Sequence, residues 1–417
     1  MFKILRKEIY LIILAIIIGI IVGYISLAYA RFLNFLSASF YLNLSGELRL
    51  LIILIPAAGG LIVGLFIHFG SLTARGHGIP AIMETIKSKE RRLSAQDLLT
   101  EAFASAITIG TGGSAGRFGP VVEIGAGIGD IIGYNLDLSL SLYQTLLGCG
   151  AAAGIAGIFG APLAGIIFTV EVLFKEFKLK RLSLIIISAL SSDALVRFLE
   201  GSKTIYYYPS FSINSPLEYP LYLILGIFTG FISYIFIKLL YNLSIFNEKV
   251  NLPYWLKPTL GGLLVGITGY AVPGILGTGI TVTNDILLGK YVISFLFVLL
   301  ILKIVVTGIT LGSGGSGGIF APGLMIGALC GVMYGKIFHK IFPAIVKLPE
   351  AYGLVAMAAL ISGLLHAPLT GVIIIFEITQ NYSLIIPLLL ASIFSTIISR
   401  LLNKESIYSP DIFKRFQ

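Results

Sequence analysis

One glycine- and proline-broken pattern occurs twice in this chain, about two hundred residues apart, inside otherwise apolar sequence. Residues 112–120 read G-G-S-A-G-R-F-G-P, and residues 314–322 read G-G-S-G-G-I-F-A-P. Further on, A-P-L-A-G at 161–165 is answered by A-P-L-T-G at 367–371. Each is followed by an apolar run and a lone acid, Glu171 and then Glu377. A fainter pair lies upstream, G-H-G-I at 76–79 and G-T-G-I at 277–280. In an apolar chain, matching breaks in two halves mark helices that stop inside the membrane, their ends lining a binding site. The pattern therefore points to a transporter built from a duplicated unit.

Composition supports the membrane setting. Of 417 residues, 57% are hydrophobic and 12% charged, against roughly 25% charged in an ordinary soluble domain. Ile9 to Ala30 contains no charge, long enough at ~1.5 Å per residue to cross ~30 Å of hydrocarbon. It lacks an obvious small-residue cleavage site and reads as a retained span. Similar runs lie near 51–67, 143–170, 219–237, 259–283, 351–376 and 383–399. Glycines sit inside these runs, as in G-A-G-I-G at 125–129 and G-A-A-A-G-I-A-G at 150–157, where small residues let membrane helices approach closely. With no long polar linker, the expectation is one all-α polytopic membrane domain made of two halves, 1–200 and 201–417. The short tail after Arg400 predicts no regulatory domain.

The net charge of +9 follows orientation rather than an anionic polymer. Basic residues cluster between apolar runs, at Lys3, Arg6 and Lys7, at Lys87 to Arg92, at Lys175 to Arg181, and from Arg400 onward. The loop at 134–142 holds one acid, Asp137, and no Lys or Arg, and the loop around 200–218 holds only Lys203. These loops are expected outside and both termini in the cytoplasm, with no nucleic-acid partner. Cys149 and Cys330 lie in Gly/Ala-rich apolar runs and read as packing residues. The four histidines have no metal-binding spacing, so neither a metal nor a cofactor is expected.

Three segments, Thr100–Gly112, Gly119–Tyr134 and Gly317–Lys336, look too short or too broken to span, and must be buried in protein or face a wet cavity. Pro80, Pro120 and Pro322 sit where a first-turn proline starts a helix. Helix N-termini carry free N–H groups and roughly half a positive charge. Three such ends aimed at one point would bind an anion.

The set G-H-G-I-P at 76–80, G-R-F-G-P at 116–120, G-I-F-A-P at 318–322 and Tyr408 near the C-terminus resembles the CLC family of chloride channels and anion/proton exchangers. The resemblance covers nearly the whole chain. It implies two halves of inverted topology with broken and re-entrant helices, about eighteen helices in all, a homodimer with one pore per subunit, and chloride or a similar small anion as substrate. Carried onto this sequence, the central anion site uses the N–H groups of Ile319 and Phe320 and the Tyr408 hydroxyl. His77, with Gly78 and Ile79, stands on the inner side where the family usually has a serine. Phe118, with Gly119, forms the outer gate where the family usually has a glutamate.

Two departures bear on mechanism. Phe118 cannot take a proton, and Val172 falls at the inner proton-transfer position, with Glu171 one place earlier. Both proton stations of the exchangers are thus absent, which predicts a passive, uncoupled anion channel. The alternative is a chloride or fluoride exchanger using another group such as His77, which titrates near neutral pH. The family's fluoride-exporting branch departs at the same serine position. Glu101 falls where many relatives have a lysine. Arg117 reads as structural, capping carbonyls or pairing with an acid, and the duplicated placement of Glu171 and Glu377 suggests a shared helix-packing or helix-end role. G-G-S-A-G at 112–116 also fits G-x-S-x-G, so an intramembrane serine hydrolase using Ser114 with His366 or His77 is a remote alternative. The duplicate at 314–318 favours helix-breaking glycines instead.

Overall fold

The computed structural model describes residues 2–42, 46–70, 78–87, 92–175, 179–201, 205–208, 213 and 215–409. Among them are sixteen α-helices and no strand. The first eight are α1 (Phe2–Ser37), α2 (Leu51–Gly70), α3 (Ile79–Lys87), α4 (Ala95–Gly110), α5 (Phe118–Asn135), α6 (Leu140–Phe159), α7 (Pro162–Phe168) and α8 (Leu179–Glu200). The second eight are α9 (Glu218–Lys249), α10 (Lys257–Ala271), α11 (Ile280–Leu287), α12 (Ile293–Gly312), α13 (Phe320–Ile341), α14 (Ala351–Leu365), α15 (Pro368–Thr379) and α16 (Ile385–Leu402). Eight helices in the described residues are long and apolar enough to cross a membrane. The protein is an all-α polytopic membrane protein.

Several runs differ from the sequence expectation. The run 143–170 is broken at Gly160, which takes φ +63° between α6 and α7. The run 351–376 breaks at His366 (φ 56°), and 259–283 becomes two short helices, α10 and α11. In each case a proline or glycine just past the break stops the ladder without adding a charge. Conversely, Leu182–Glu200 and Ile293–Gly312 are span-length helices that contain charges, Asp193, Arg197 and Glu200 in one and Lys303 in the other. The segment Gly317–Lys336, expected to be too short or broken to span, lies mostly in the unbroken 22-residue α13. Its most apolar window is 83% buried inside the protein, so it is a core helix.

The centre is built on small residues. α5 and α6 cross where Gly125 and Gly150 meet, and a Cβ on either would collide with the other's carbonyl. Backbone contact of this kind is the usual means of packing membrane helices. Cys149 and Cys330 are free and fully buried. α1 packs on this centre through Leu11, Ala15, Ile18 and Val22 against Ala152, Ala156, Ile185 and Ala189.

Candidate anion site

The two copies of G-G-S-x-G meet. Gly116 and Gly318 exchange both backbone hydrogen bonds, N–H to O at 2.6 and 2.7 Å, as a single antiparallel bridge. A Cβ at Gly318 would lie 2.8 Å from the Gly119 nitrogen, so glycine is required for this approach. The flanking bonds are reciprocal too. Ser114 N–H donates to Thr310 Oγ1 at 3.1 Å, and Ser316 N–H donates to Thr108 Oγ1 at 3.2 Å. Each loop is thereby tied to the helix that precedes the other loop. The consequence is that the N-termini of α5 and α13 begin side by side.

These ends and the start of α3 line one cavity of about 290 Å³, with Gly78, Ile79 and Pro80, Gly119 and Pro120, Gly317 to Ile319, and Tyr408 in its wall. Ile407 N–H bonds the Leu364 carbonyl at 3.1 Å, fixing the Tyr408 segment to the end of α14. Tyr408 is 6% exposed, and its Oη has no partner among the described residues. The cavity runs from this buried end to the exposed Glu248, with Tyr241, Asn247 and Lys257 near the mouth. His77 lies outside the described residues.

Phe118 and Phe320 do not line the cavity. They are fully buried one residue behind it and stack at 4.2 Å with a 15° tilt between rings. Phe168 meets Phe118 edge-on at 5.2 Å, and Phe159 lies 5.8 Å from Phe118 and 5.7 Å from Phe320. Phe118 is thus part of a four-ring cluster. Each such pair contributes ~0.5–1.5 kcal/mol beyond area burial.

Two carboxylates on the cavity wall carry more weight than the sequence suggested. Glu101, on α4, accepts a hydrogen bond from Ser316 Oγ at 2.6 Å. Glu123, on α5, is 1% exposed. Glu123 follows Gly119 by four residues, so both share one helix face; that spacing was the available signal.

Glu171 and Glu377 do something else. Glu171 accepts from Leu369 N–H (3.1 Å), Thr370 N–H (2.6 Å) and the Thr370 hydroxyl (2.7 Å), at the start of α15. Glu377, on α15, accepts from Leu163 N–H (3.0 Å) and Ala164 N–H (2.8 Å), at the start of α7. Each duplicated acid caps the other copy's helix, as the sequence suggested. Val172 is buried beside Glu171 in a π-helical turn, Thr169–Phe174, away from the cavity wall. The Arg117 Nε, by contrast, is buried without a partner among the described residues. Ser114 Oγ bonds Thr307 Oγ1 at 2.8 Å, and His366 Nε2 lies 3.3 Å from Ser399 Oγ. The serine of the hydrolase-like motif is therefore engaged by a threonine.

The fold and site together describe a membrane transport protein whose broken helices end around a buried cavity. The family profile described as voltage gated chloride channel matches residues 59–400, and the chain belongs to that family, the CLC chloride channels and transporters. It is 33% identical over 361 residues to a protein of Ralstonia nicotianae named as a ClcB-like chloride channel, covering 86% of this chain and 84% of that one. It is 30% identical over 413 residues to the H(+)/Cl(-) exchange transporter ClcA of Vibrio parahaemolyticus, covering 95% and 88%. Among solved structures it resembles a slow cyanobacterial Cl⁻/H⁺ antiporter, with a TM-score of 0.89 at 24% identity over 97% of this chain and 98% of the other. That likeness speaks to the fold.

Proposed function

We propose that the protein is a passive, anion-selective membrane pathway, with chloride as its default ion. The anion sits where the N-termini of α3, α5 and α13 converge, held by the Ile319 and Phe320 N–H groups, the Gly78–Ile79 and His77 side, and the Tyr408 hydroxyl. The observation that carries this reading is the unpartnered Tyr408 Oη on the same buried cavity as three helix starts. A buried hydroxyl without an acceptor is costly, and an anion supplies one. Helix N-termini add favourable partial charge in a low-dielectric setting.

The absence of coupling rests on Phe118 and Val172. Neither titrates, and Phe118 is fully buried behind the cavity, stacked on Phe320. Two relatives bear names on opposite sides of this question, a channel and an exchanger. A proton-coupled exchanger of chloride or fluoride is therefore the second reading. In either case the chain works as a homodimer of two-half subunits, 1–200 and 201–417, each with its own pore, in a cell membrane with both termini cytoplasmic.

The deciding experiment is reconstitution in liposomes under a chloride gradient, with chloride and proton movement recorded together. Chloride should move until the membrane potential stops it, and protons should not be driven uphill. Sustained uphill proton flux would establish the exchanger instead.

A further inference from the structure

A second, smaller cavity, of about 20 Å³, lies where the two glycine loops meet α2 and α10. It exceeds the roughly 10–15 Å³ that one water-sized particle needs. Its wall is duplicated as the sequence is. Thr108 is matched by Thr310, Thr111 by Ser313 and Gly113 by Gly315, at the spacing that separates 112–120 from 314–322. α2 and α10 each add a proline and a glycine, matched in the same way. Gly315 also belongs to the wall of the anion cavity, so the two cavities are neighbours.

This wall presents lone pairs and few donors. Thr111 Oγ1 donates to the Ile107 carbonyl at 2.8 Å, Thr310 Oγ1 to the Val306 carbonyl at 2.8 Å, and Ser313 Oγ to the Thr310 carbonyl at 3.2 Å. Each of these hydroxyl protons is spent on the backbone, which leaves oxygen lone pairs for the cavity. The Gly113 and Gly315 N–H groups are spent too, on the Thr108 carbonyl at 2.8 Å and the Thr310 carbonyl at 3.0 Å. Thr111 and Ser313 are also the C-caps of α4 and α12, so two helix C-termini end at the cavity. Each such end carries roughly half a negative charge. Glu101 and Lys303 each stand two turns before a lining threonine, with opposite signs. Both are bonded elsewhere, Glu101 to Ser316 and Lys303 to the Ile275 and Gly277 carbonyls. Their charges offset, and the two helix ends set the local field.

We propose that this cavity binds one small monovalent cation of the size of Na⁺, held by the Thr111, Thr310 and Ser313 oxygens where α4 and α12 end. Helix C-termini and unwound carbonyls are the groups that hold Na⁺ where membrane helices break. The wall has no carboxylate, the ligand on which a divalent ion depends. A water offers only two protons to a wall of acceptors, whereas a cation engages every lone pair turned toward it. A cation here stands beside the anion cavity, in a low-dielectric setting, so each ion tightens the binding of the other by the same factor. That linkage rests on the anion-site reading above; the cation site itself does not.

The test uses the full-length protein in detergent, with Na⁺, K⁺ or N-methyl-D-glucamine as the only cation at equal ionic strength. Thermal unfolding is followed first in gluconate, without chloride. The unfolding temperature should rise with Na⁺ concentration and saturate, as expected for a ligand that binds the folded state. K⁺ should act more weakly, and N-methyl-D-glucamine should not act at all. Chloride binding by calorimetry should then be about 5–150-fold tighter in Na⁺ than in N-methyl-D-glucamine, the usual range for two linked sites. Thr111→Val/Ser313→Ala removes two of the oxygens and should abolish both Na⁺ effects. Equal unfolding temperatures of wild type in all three cations would overturn the cation site without recourse to any variant, and would leave the cavity to water. A Na⁺ effect undiminished in the folded double variant would overturn it as well, by placing the ion elsewhere. Na⁺ stabilisation lost in the double variant, with no chloride binding in any cation, would establish the cation site and remove the anion-site reading instead.

Discussion

Phe118 shows how one side chain can fill the space behind a helix start. Its ring is fully buried and stacked on Phe320, its counterpart in the repeat, so it fills space that a carboxylate would occupy as a charge. Phe118→Ala removes that plug. We expect several-fold higher chloride flux per folded protein, together with a stability loss of ~3–5 kcal/mol, the usual cost of truncating a buried phenylalanine. Phe118→Glu should reduce flux at neutral pH, because the ionised carboxylate competes with the anion. Flux should recover as pH falls and the carboxyl becomes neutral. Liposome flux across a pH series reads both, and unchanged flux in both variants would place Phe118 outside the pathway. At this scale, the motif residues were legible because glycine and proline leave a mark in sequence. Glu123 was not, since α5 carries two buried acids, Glu123 and Asp130, and the cavity alone shows that Glu123 is on the face shared with Gly119.

The reciprocal caps belong to the scale of helices. α7 starts with prolyl and alanyl residues that offer no side-chain cap, and α15 likewise has none of its own at Ala367. Each helix start therefore depends on an acid from the other copy, Glu377 for α7 and Glu171 for α15. Hydrogen bonds to a charged group contribute ~1.5–3 kcal/mol, and the helix dipole adds to this. Glu377→Ala should lower the thermal unfolding temperature of the detergent-solubilised protein by a loss in that range. Glu171→Ala should cost more, because it also forfeits the Thr370 hydroxyl. Equal stability of both variants and wild type would show that water replaces the caps. The pairing of an acid with a distant helix start was legible only as a duplication, since sequence gives no direction to a side chain. Span assignment failed for a related reason. Counting charge-free residues discards α12, whose Lys303 is fully buried and donates to the Ile275 and Gly277 carbonyls at 2.9 and 3.0 Å. It also fuses α6 with α7, because Gly160 and Pro162 end a helix without adding charge.

At the scale of the whole molecule, α9 relates the exposed end of the cavity to one side of the protein. That helix runs from Glu218, next to the Lys203-only loop, to Lys249, next to the mouth residues Glu248 and Lys257. Basic residues favour the cytoplasmic side, so the mouth should open there, on the same side as Lys3, Arg6 and Lys7. The overall duplication made the architecture legible, but the direction in which the cavity opens required the placement of α9. Cysteine labelling tests it directly, since Cys149 and Cys330 are fully buried and should not react. A cysteine at Glu248 and one near Lys3 should both be modified by an impermeant thiol reagent applied from the cytoplasmic side. A cysteine at Asp137 should react from the outside alone. Modification at Glu248 should also cut chloride flux, because the adduct stands in the mouth of the cavity. Labelling of Glu248→Cys from the outside would invert the orientation. Labelling from the cytoplasm with undiminished flux would mean that the anion does not pass through this mouth.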